Sequence, residues 1–412
     1  MQRGPWLEQT TAKFTWRFFM NDFVFLNPKY YRAGHEKELA DLLLVLDDTC
    51  IIISLKGTDG TLKSKTKLKN WLAKKALEGS RQARGGSSWI SRVPFGGLNL
   101  WGEIRQFEPD SLRPICGIVL LECSQKPFGP IQFTTPNIQS NVPLHFLSLN
   151  DFLNVVDRLG SIWDVFDYFS KRAAIGHVFT GINQEQPILA YYSLRSQDLT
   201  GILSTDKAEL IKLRESYLLH LHDNRAEYEE RERMALNVNA IVHELHTRHP
   251  SPEDYLPAAL QSYLEPMDKR VAYLRMAAML NGLPMSDKVF IGRKLENILA
   301  NLRNSGGSEC FGFKPLKKDL IFVFACFSKL TRTERIQRIN KLLPGALHQY
   351  KVSEGLAVAI DADSSATGYD LVWIPNRRNF SEEDRKIGEK FFPGPIDTLV
   401  ADPFGKARSY RP

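Results

Sequence analysis

The sequence has few cysteines, and none of them stand in the close pairs that bind zinc or form redox centres. The five are Cys50, Cys116, Cys123, Cys310 and Cys326. Their number is odd, no CxxC or Cys/His zinc spacing occurs, and most lie in apolar runs such as ICGIVLLEC and IFVFACF. We therefore expect buried free thiols in a reducing cytoplasm rather than a disulfide framework.

Nucleotide-binding loops, zinc-protease signatures and membrane spans are lacking as well. FGGLNLWGE and NSGGSE contain glycines but match neither GxGxxG nor GxxxxGK. IVHELHTRH contains His243, Glu244, His246 and His249, but its second histidine comes one residue too early for HExxH, so we interpret it as a solvated helix end. No apolar run has the length of a membrane span and no signal-peptide pattern is seen, which predicts a cytoplasmic protein without membrane contact.

The composition is that of a globular protein with a moderately basic surface. Hydrophobic residues make up 43% and charged residues 25% of the chain, which is enough apolar material for a substantial core. The formal net charge is +7, which is compatible with a polyanionic partner. A length of 412 residues suits two or three domains.

The pattern of apolar residues changes twice along the chain and predicts an α/β (α+β) protein of three parts. Short β-type runs such as DLLLVL and TCIIISL dominate residues 1–140, with one helix between about Lys67 and Trp89, which indicates a mixed sheet. Residues 141–305 are predicted to be helical, with segments that include 206–247, 251–264 and 285–303. Strand and helix signals alternate again over 306–412, which predicts a small α/β unit.

The stretch KELADLLLVLDDTCIIISLKG, residues 37–57, reads as a β-hairpin with charges at its outer ends. If Asp47 and Asp48 form a two-residue turn, Leu46 pairs with Thr49. Asp41 then faces Ser54, and Lys56 projects from the same side of the sheet because side chains alternate along a strand. Glu38 lies just upstream, on a short helix or turn.

This arrangement would gather Glu38, Asp41, the Ser54 hydroxyl and Lys56 on one face. Carboxylates together with a backbone carbonyl, here that of Leu55, form the oxygen site that Mg²⁺ or Mn²⁺ prefers next to a phosphate. A nearby lysine can stabilise charge or orient an attacking water. On spacing alone, solvated strand ends or a cross-strand ion pair explain the same charges.

The hairpin resembles the PD-(D/E)XK nuclease superfamily, whose fold is restriction-endonuclease-like. The resemblance implies that Glu38 matches the helix acid, Asp41 the strand aspartate and Lys56 the signature lysine of a metal-dependent nuclease. Gln82, in KKALEGSRQARGGSSWI, matches the glutamine that such chains often add on the following helix. The acidic position of the signature is occupied by Ser54, so either Glu38 compensates or the site has lost its activity.

The start KELADLLLVL with the later SLK, the central segment FLNVVDRLGSIWDVFDYF and the late strand GLAVAID are similar to segments of a group of bacterial proteins. By this resemblance the whole chain looks like uncharacterised bacterial proteins that are presumed nucleases. The resemblance implies a regulated effector in defence against phage or mobile DNA, with a protein partner or homo-oligomer as a further expectation. The alternative is a catalytically degenerate nuclease fold that serves as a nucleic-acid-binding or scaffold subunit.

Basic residues near the hairpin predict contact with a nucleic-acid backbone, with DNA favoured over RNA. The densest run, TLKSKTKLKNWLAKK, contains six lysines and no acid, and it is followed by two arginines. The residues predicted to bind nucleic acid are Lys63, Lys65, Lys67, Lys69, Lys74, Lys75, Arg81 and Arg84. Lysine-rich loops also occur on ordinary surfaces, so spacing alone leaves this role open.

Overall fold

The computed structural model describes most of the chain, with several gaps. The described residues are 10–11, 21–58, 64–123, 131–132, 141–175, 181–182, 184–247, 269–315, 318–363, 369–377, 379–393, 399–400 and 408–409. They form two compact units, 1–225 and 226–412, which mix helix and strand as the sequence predicts. Lys63, His249 and the helix predicted at 251–264 lie outside the described residues.

The strands are β1 (Val24–Arg32), β2 (His35–Glu38), β3 (Leu42–Leu46), β4 (Thr49–Thr58), β5 (Phe95–Asn99), β6 (Ile104–Phe107), β7 (Arg113–Cys123), β8 (Ile131–Gln132), β9 (Leu144–Ser148), β10 (Gly181–Ile182), β11 (Ser308–Phe313), β12 (Leu320–Phe327), β13 (Glu354–Asp361), β14 (Tyr369–Ile374), β15 (Leu399–Val400) and β16 (Arg408–Ser409). The helices are α1 (Lys65–Ile90), α2 (Leu149–Leu159), α3 (Ile162–Ala174), α4 (Glu185–Leu194), α5 (Lys207–Asp223), α6 (Arg225–Thr247), α7 (Lys269–Asn281), α8 (Met285–Ser305), α9 (Arg332–Tyr350) and α10 (Glu382–Phe391).

The first unit contains an eight-stranded mixed sheet. Seven strands follow the order β6-β5-β1-β3-β4-β7-β9, and β2 pairs with β1 outside this path. The β3–β4 hairpin has the predicted register, since Leu46 pairs with Thr49 and Leu42 with Ile53. Asp47 takes a left-handed φ of 53° in the two-residue turn, which aspartate tolerates better than most side chains. Strands β7 and β9 continue the sheet in parallel to β4.

Helix α1 packs on one face of this sheet, against β4 and β7. It begins where the Ser64 hydroxyl accepts a hydrogen bond from the Lys67 backbone N–H, a cap that satisfies one orphan donor of the first turn. One stripe of the helix is buried, and it includes Leu68, Leu72 and Ala83. This stripe packs with Ile52 of β4 and other buried residues of the sheet in one apolar cluster. The predicted helix is therefore confirmed.

The opposite face of the sheet is covered by helices from the segment 149–174. Both α2 and α3 contact β7. Arg172 of α3 lies within Coulombic range of Cys116 on β7. Arg172 and Glu185 form an ion pair at 3.1 Å with both side chains at most 3% exposed. The first unit thus has three layers: α1, the sheet, and a group of helices held by a buried ion pair.

The second unit contains a four-stranded sheet of order β11-β12-β13-β14, in which β12 and β13 are parallel. Apolar residues of α6, α7 and α8 join one buried cluster with one face of these strands. Those of α9 and α10 join a second cluster with the other face. The two compact units meet at residue 225, and each half of the predicted helical segment packs with a different sheet. The division into three parts after residues 140 and 305 stays a prediction.

Two expectations for the helical segment need correction. The helix predicted over 206–247 is two helices, because α5 ends at Asp223 and the backbone N–H of Asn224 caps it on carbonyls of its last turn. The interpretation of IVHELHTRH as a solvated helix end is wrong for His246, which is 6% exposed. His243, three residues before it, is exposed as expected. The apolar side of α6 carries His246 into the core because Val242 and Leu245 lie on the same buried stripe.

Candidate functional site

The outer end of the β3–β4 hairpin brings Asp41, Ser54 and Lys56 together. Lys56 donates to Asp41 Oδ2 from 3.3 Å, and their side chains are only 17% and 14% exposed. The backbone N–H of Leu55 donates to the same carboxylate oxygen. The Asp41 carboxylate is therefore held by a backbone N–H and by a lysine, which together orient it and keep it close to the Lys56 ammonium group.

Two details of the predicted geometry are wrong. Asp41 lies in the bend directly before β3 and is not itself a strand residue. Glu38 is the last residue of β2, where helix or turn was expected. The chain turns between β2 and β3, and residues 39 and 40 are buried there. The ladder between β3 and β4 ends at Leu42 and Ile53, one pair short of Asp41 and Ser54. The Leu55 N–H bonds to the Asp41 side chain instead of continuing the ladder, and the carboxylate still reaches the predicted face.

Gln82 of α1 is the centre of the hydrogen-bond network. Its Oε1 accepts from Lys56 Nζ at 2.6 Å and from Ser54 Oγ at 2.7 Å. Its Nε2 donates to Asp41 Oδ1 at 3.0 Å and to Glu38 Oε1 at 3.4 Å. One amide thus connects all four groups of the hairpin site, because α1 packs back over β4 and presents Gln82 to it.

Ser54 has a different role from the acid whose place it takes. Its side chain is 0% exposed and donates to Gln82 Oε1. A fully buried hydroxyl that holds an amide cannot also present itself to a solvated cation. Ser54 therefore positions Gln82, and Asp41 and Glu38 are the two carboxylates of this network that could hold a cation.

The oxygen atoms near Gln82 fit a hard divalent cation. An oxygen of Asp41 and an oxygen of Glu38 both lie within 3.4 Å of the same amide nitrogen, so the two carboxylates face one point. The Leu55 carbonyl is close by, since it accepts from Lys56 Nζ at 3.1 Å. In the part of the chain that the structure describes, no three His, Cys, Asp or Glu side chains are grouped to hold a metal. Water and phosphate oxygens would complete the shell, as they commonly do for Mg²⁺.

A third carboxylate, Glu78, stands one helical turn before Gln82 and was not singled out from the sequence. Lys75 donates to it at 2.5 Å, and this hydrogen bond lowers the pKa of the Glu78 carboxyl. The charges of Lys74 and Lys56 lower that pKa further, so Glu78 lies within Coulombic range of the hairpin lysine. The four-residue spacing from Gln82 is the signal that could have revealed it.

The basic residues of α1 do not share one face. Lys75 and Trp71 lie on the same side of the helix as Gln82, whereas Lys69 and Arg84 point to the far side, as follows from about 3.6 residues per turn. Lys75 is half-buried and paired with Glu78. The remaining predicted residues of this helix are exposed: Lys65, Lys67, Lys69, Lys74, Arg81 and Arg84. The helix therefore presents charge broadly around its outer surface.

Gly86 fixes the distance between α1 and the acidic segment. A Cβ built on Gly86 would lie 2.7 Å from the Leu39 carbonyl oxygen. Leu39 lies between Glu38 and Asp41, so only glycine permits this approach of helix to backbone. The absence of a side chain at Gly86 therefore places Gln82 within reach of both carboxylates.

No family model, curated protein or solved structure matches this chain. Among the described helices, none has the length and apolar character needed to cross a membrane.

Proposed function

We propose that this protein is a metal-dependent nuclease that hydrolyses phosphodiester bonds of DNA or RNA, with a restriction-endonuclease-like domain at its N-terminus. The observation that carries the proposal is the convergence of Asp41, Glu38, Lys56 and Gln82 at one end of a buried hairpin. Asp41 and Lys56 are partly buried, and each is oriented by two or more hydrogen bonds, which solvated charges at the end of a strand would not be. Gln82 also donates to the exposed Glu38.

Asp41 and Glu38 would hold Mg²⁺ or Mn²⁺, with the Leu55 carbonyl as a further oxygen donor. The bound cation would supply neutralisation of the charge that develops on the phosphate. Lys56, oriented by Asp41 and Gln82, would stabilise the same charge and orient the attacking water. Gln82 would hold Lys56 and the two carboxylates in fixed positions relative to one another through its hydrogen bonds.

The exposed cations of α1 support contact with the nucleic-acid backbone. Lys67 and Lys74 lie within the helix that carries Gln82 and are exposed. Their charges would neutralise phosphates that flank the scissile bond. A regulated role in bacterial defence and a protein partner stay predictions from the resemblance.

The test is a cleavage assay on DNA and RNA with Mg²⁺, Mn²⁺ or EDTA. We expect metal-dependent cleavage by the wild type and its loss in Asp41→Ala and Lys56→Ala. Asp48→Ala is the matched control, because this exposed aspartate lies in the turn at the other end of the same hairpin. The five residues of β3 separate it from the site by roughly 15 Å.

The degenerate-fold alternative rests on Ser54 in the acidic position of the signature. It predicts binding of nucleic acid without cleavage under every metal condition. That result would refute the proposal that the protein is an enzyme and would support the alternative of a binding or scaffold subunit. Cleavage that survives both Asp41→Ala and Lys56→Ala would show that the chemistry resides elsewhere in the chain.

A further inference from the structure

Strands β1 and β2 form an exposed ribbon next to the candidate site. Residues 29–32 of β1 pair with residues 35–38 of β2, and Ala33 and Gly34 form the connecting turn with φ of 50° and 78°. All four residues of β2 are exposed. The ribbon ends at Glu38, so its base is part of the site already described.

Charges on the ribbon are sorted by face. In the register, Arg32 stands opposite His35, and Tyr30 opposite Lys37, so these four share one face. The other face carries Lys29, which forms an ion pair with Glu36 at 2.6 Å. Because side chains alternate along a strand, the sequence HEKE places its two acids on one face and its basic residues on the other.

The cationic face, defined by Arg32, His35 and Lys37, contacts α1 at Trp89. The Tyr30 ring stacks on Trp89 of α1 with centroids 5.3 Å apart. The Arg32 guanidinium lies 4.7 Å from the centroid of the Trp89 ring. These contacts fix the ribbon to the helix that carries Gln82, so the cationic face has a defined position relative to the site.

The charge of Lys37 stabilises no contact within the part of the chain that the structure describes. Within the described ranges, Lys37 makes no hydrogen bond or ion pair, and its side chain is exposed. The acids of β2 lie on the opposite face, so the positive potential of the cationic face is not neutralised by its own strand. An anion whose charges are spaced along a line matches such a face.

We propose that the cationic face is a second contact surface for the nucleic-acid backbone. This inference rests on the proposed nuclease function. Gln82 and Trp89 are seven residues apart on α1, which is about 10 Å at 1.5 Å per residue. Successive phosphates of a duplex strand advance about 3.4 Å along the axis. Arg32 therefore contacts a phosphate about three base pairs from the bond next to Asp41 and Lys56. Lys37, which directly precedes Glu38, contacts a phosphate closer to that bond.

The test measures the salt dependence of duplex binding by fluorescence anisotropy, with EDTA present so that no cleavage occurs. The variants are Lys37→Gln, the double variant Arg32→Gln/Lys37→Gln, and Lys29→Gln as the matched control. Lys37→Gln and Lys29→Gln each remove one lysine charge from the same ribbon but from opposite faces.

The logarithm of the binding constant decreases with the logarithm of the salt concentration. For each phosphate contact that is lost, the magnitude of this slope decreases by about 0.9. We expect a decrease of about 0.9 for Lys37→Gln, about 1.8 for the double variant, and no change for Lys29→Gln. Since Arg32 stacks on Trp89, thermal midpoints check that the double variant folds. Lys37→Gln alone keeps the test valid if the double variant does not.

The outcomes separate this proposal from the proposed function. Equal slopes for wild type and Lys37→Gln, or equal decreases for Lys37→Gln and Lys29→Gln, overturn the cationic face even if Asp41→Ala abolishes cleavage. A wild type that neither binds nor cuts nucleic acid overturns both. Displacement of the duplex by poly-glutamate at the same charge concentration would indicate that the cationic face binds an acidic protein, and it would also overturn the proposed contact with nucleic acid.

Discussion

Replacement of Gly86 by alanine is expected to disturb the site by moving α1 off the segment that carries the carboxylates. The new Cβ would lie 2.7 Å from the Leu39 carbonyl oxygen, about 0.7 Å closer than an ordinary contact. Because this oxygen belongs to the backbone, it can move away from the new Cβ only slightly. Alanine gains about 0.5–1 kcal/mol of helix propensity over glycine, but overpacking of this kind costs about 1–3 kcal/mol. We expect a net loss of about 1 kcal/mol in the free energy of unfolding.

Gly85→Ala is the matched control in the same turn of the helix. A Cβ at Gly85 meets no atom within 4 Å, so only the gain in helix propensity of about 0.5–1 kcal/mol remains. The two neighbouring substitutions should therefore change stability in opposite directions. Urea unfolding followed by tryptophan fluorescence measures this, because Trp71 and Trp89 lie on the same helix.

The same shift should weaken the hydrogen bond from Gln82 to Asp41, now 3.0 Å long. A misplacement of about 1 Å in a catalytic group costs on the order of a hundredfold in rate. Gly86→Ala should therefore lower cleavage roughly ten- to a hundredfold, and Gly85→Ala should leave the network intact. Equal effects of the two variants on stability and on cleavage would refute the close approach of α1 to Leu39.

Three further predictions concern the cores. Arg172→Met should lower the free energy of unfolding by about 3–5 kcal/mol, because it leaves the buried Glu185 carboxylate with the Tyr168 hydroxyl but without its cationic partner, and thermal denaturation measures this. Burial raises the pKa of Glu354, so its ionisation opposes folding above that pKa; Glu354→Gln should raise the thermal midpoint at pH 7 but not at pH 3. Burial also raises the pKa of Cys310 to about 11 and of Cys326 to about 12, so iodoacetamide at pH 8 should modify them slowly until denaturant is added, as mass spectrometry would show.

The hairpin illustrates what local sequence can specify. The turn at Asp47 and Asp48 and the apolar runs on either side determine the register, and the register places Lys56 on a known face. Helix α1 was likewise predictable, because its apolar residues recur at helical spacing behind the Ser64 cap. These features depend on neighbours within a few residues, so pattern and turn chemistry suffice.

The division of the chain into units was not predictable in the same way. Residues 141–305 read as one helical segment because helix signals follow one another along it without an intervening run typical of a strand. Such a pattern shows that a helix has a partner but does not say which sheet covers it. The first helices pack on the sheet that contains β7, and the last pack on the sheet that contains β12.

The sequence by itself determined the two strands, their turn, the side of the sheet that Asp41 and Lys56 share, and the helix that follows them. Tertiary structure decided that Gln82 bridges both carboxylates, that Ser54 is buried as a positioning hydroxyl, and that Glu78 stands near the lysine. The reason is that helix and hairpin meet only through long-range packing, and the closeness of that packing depends on one missing side chain, at Gly86.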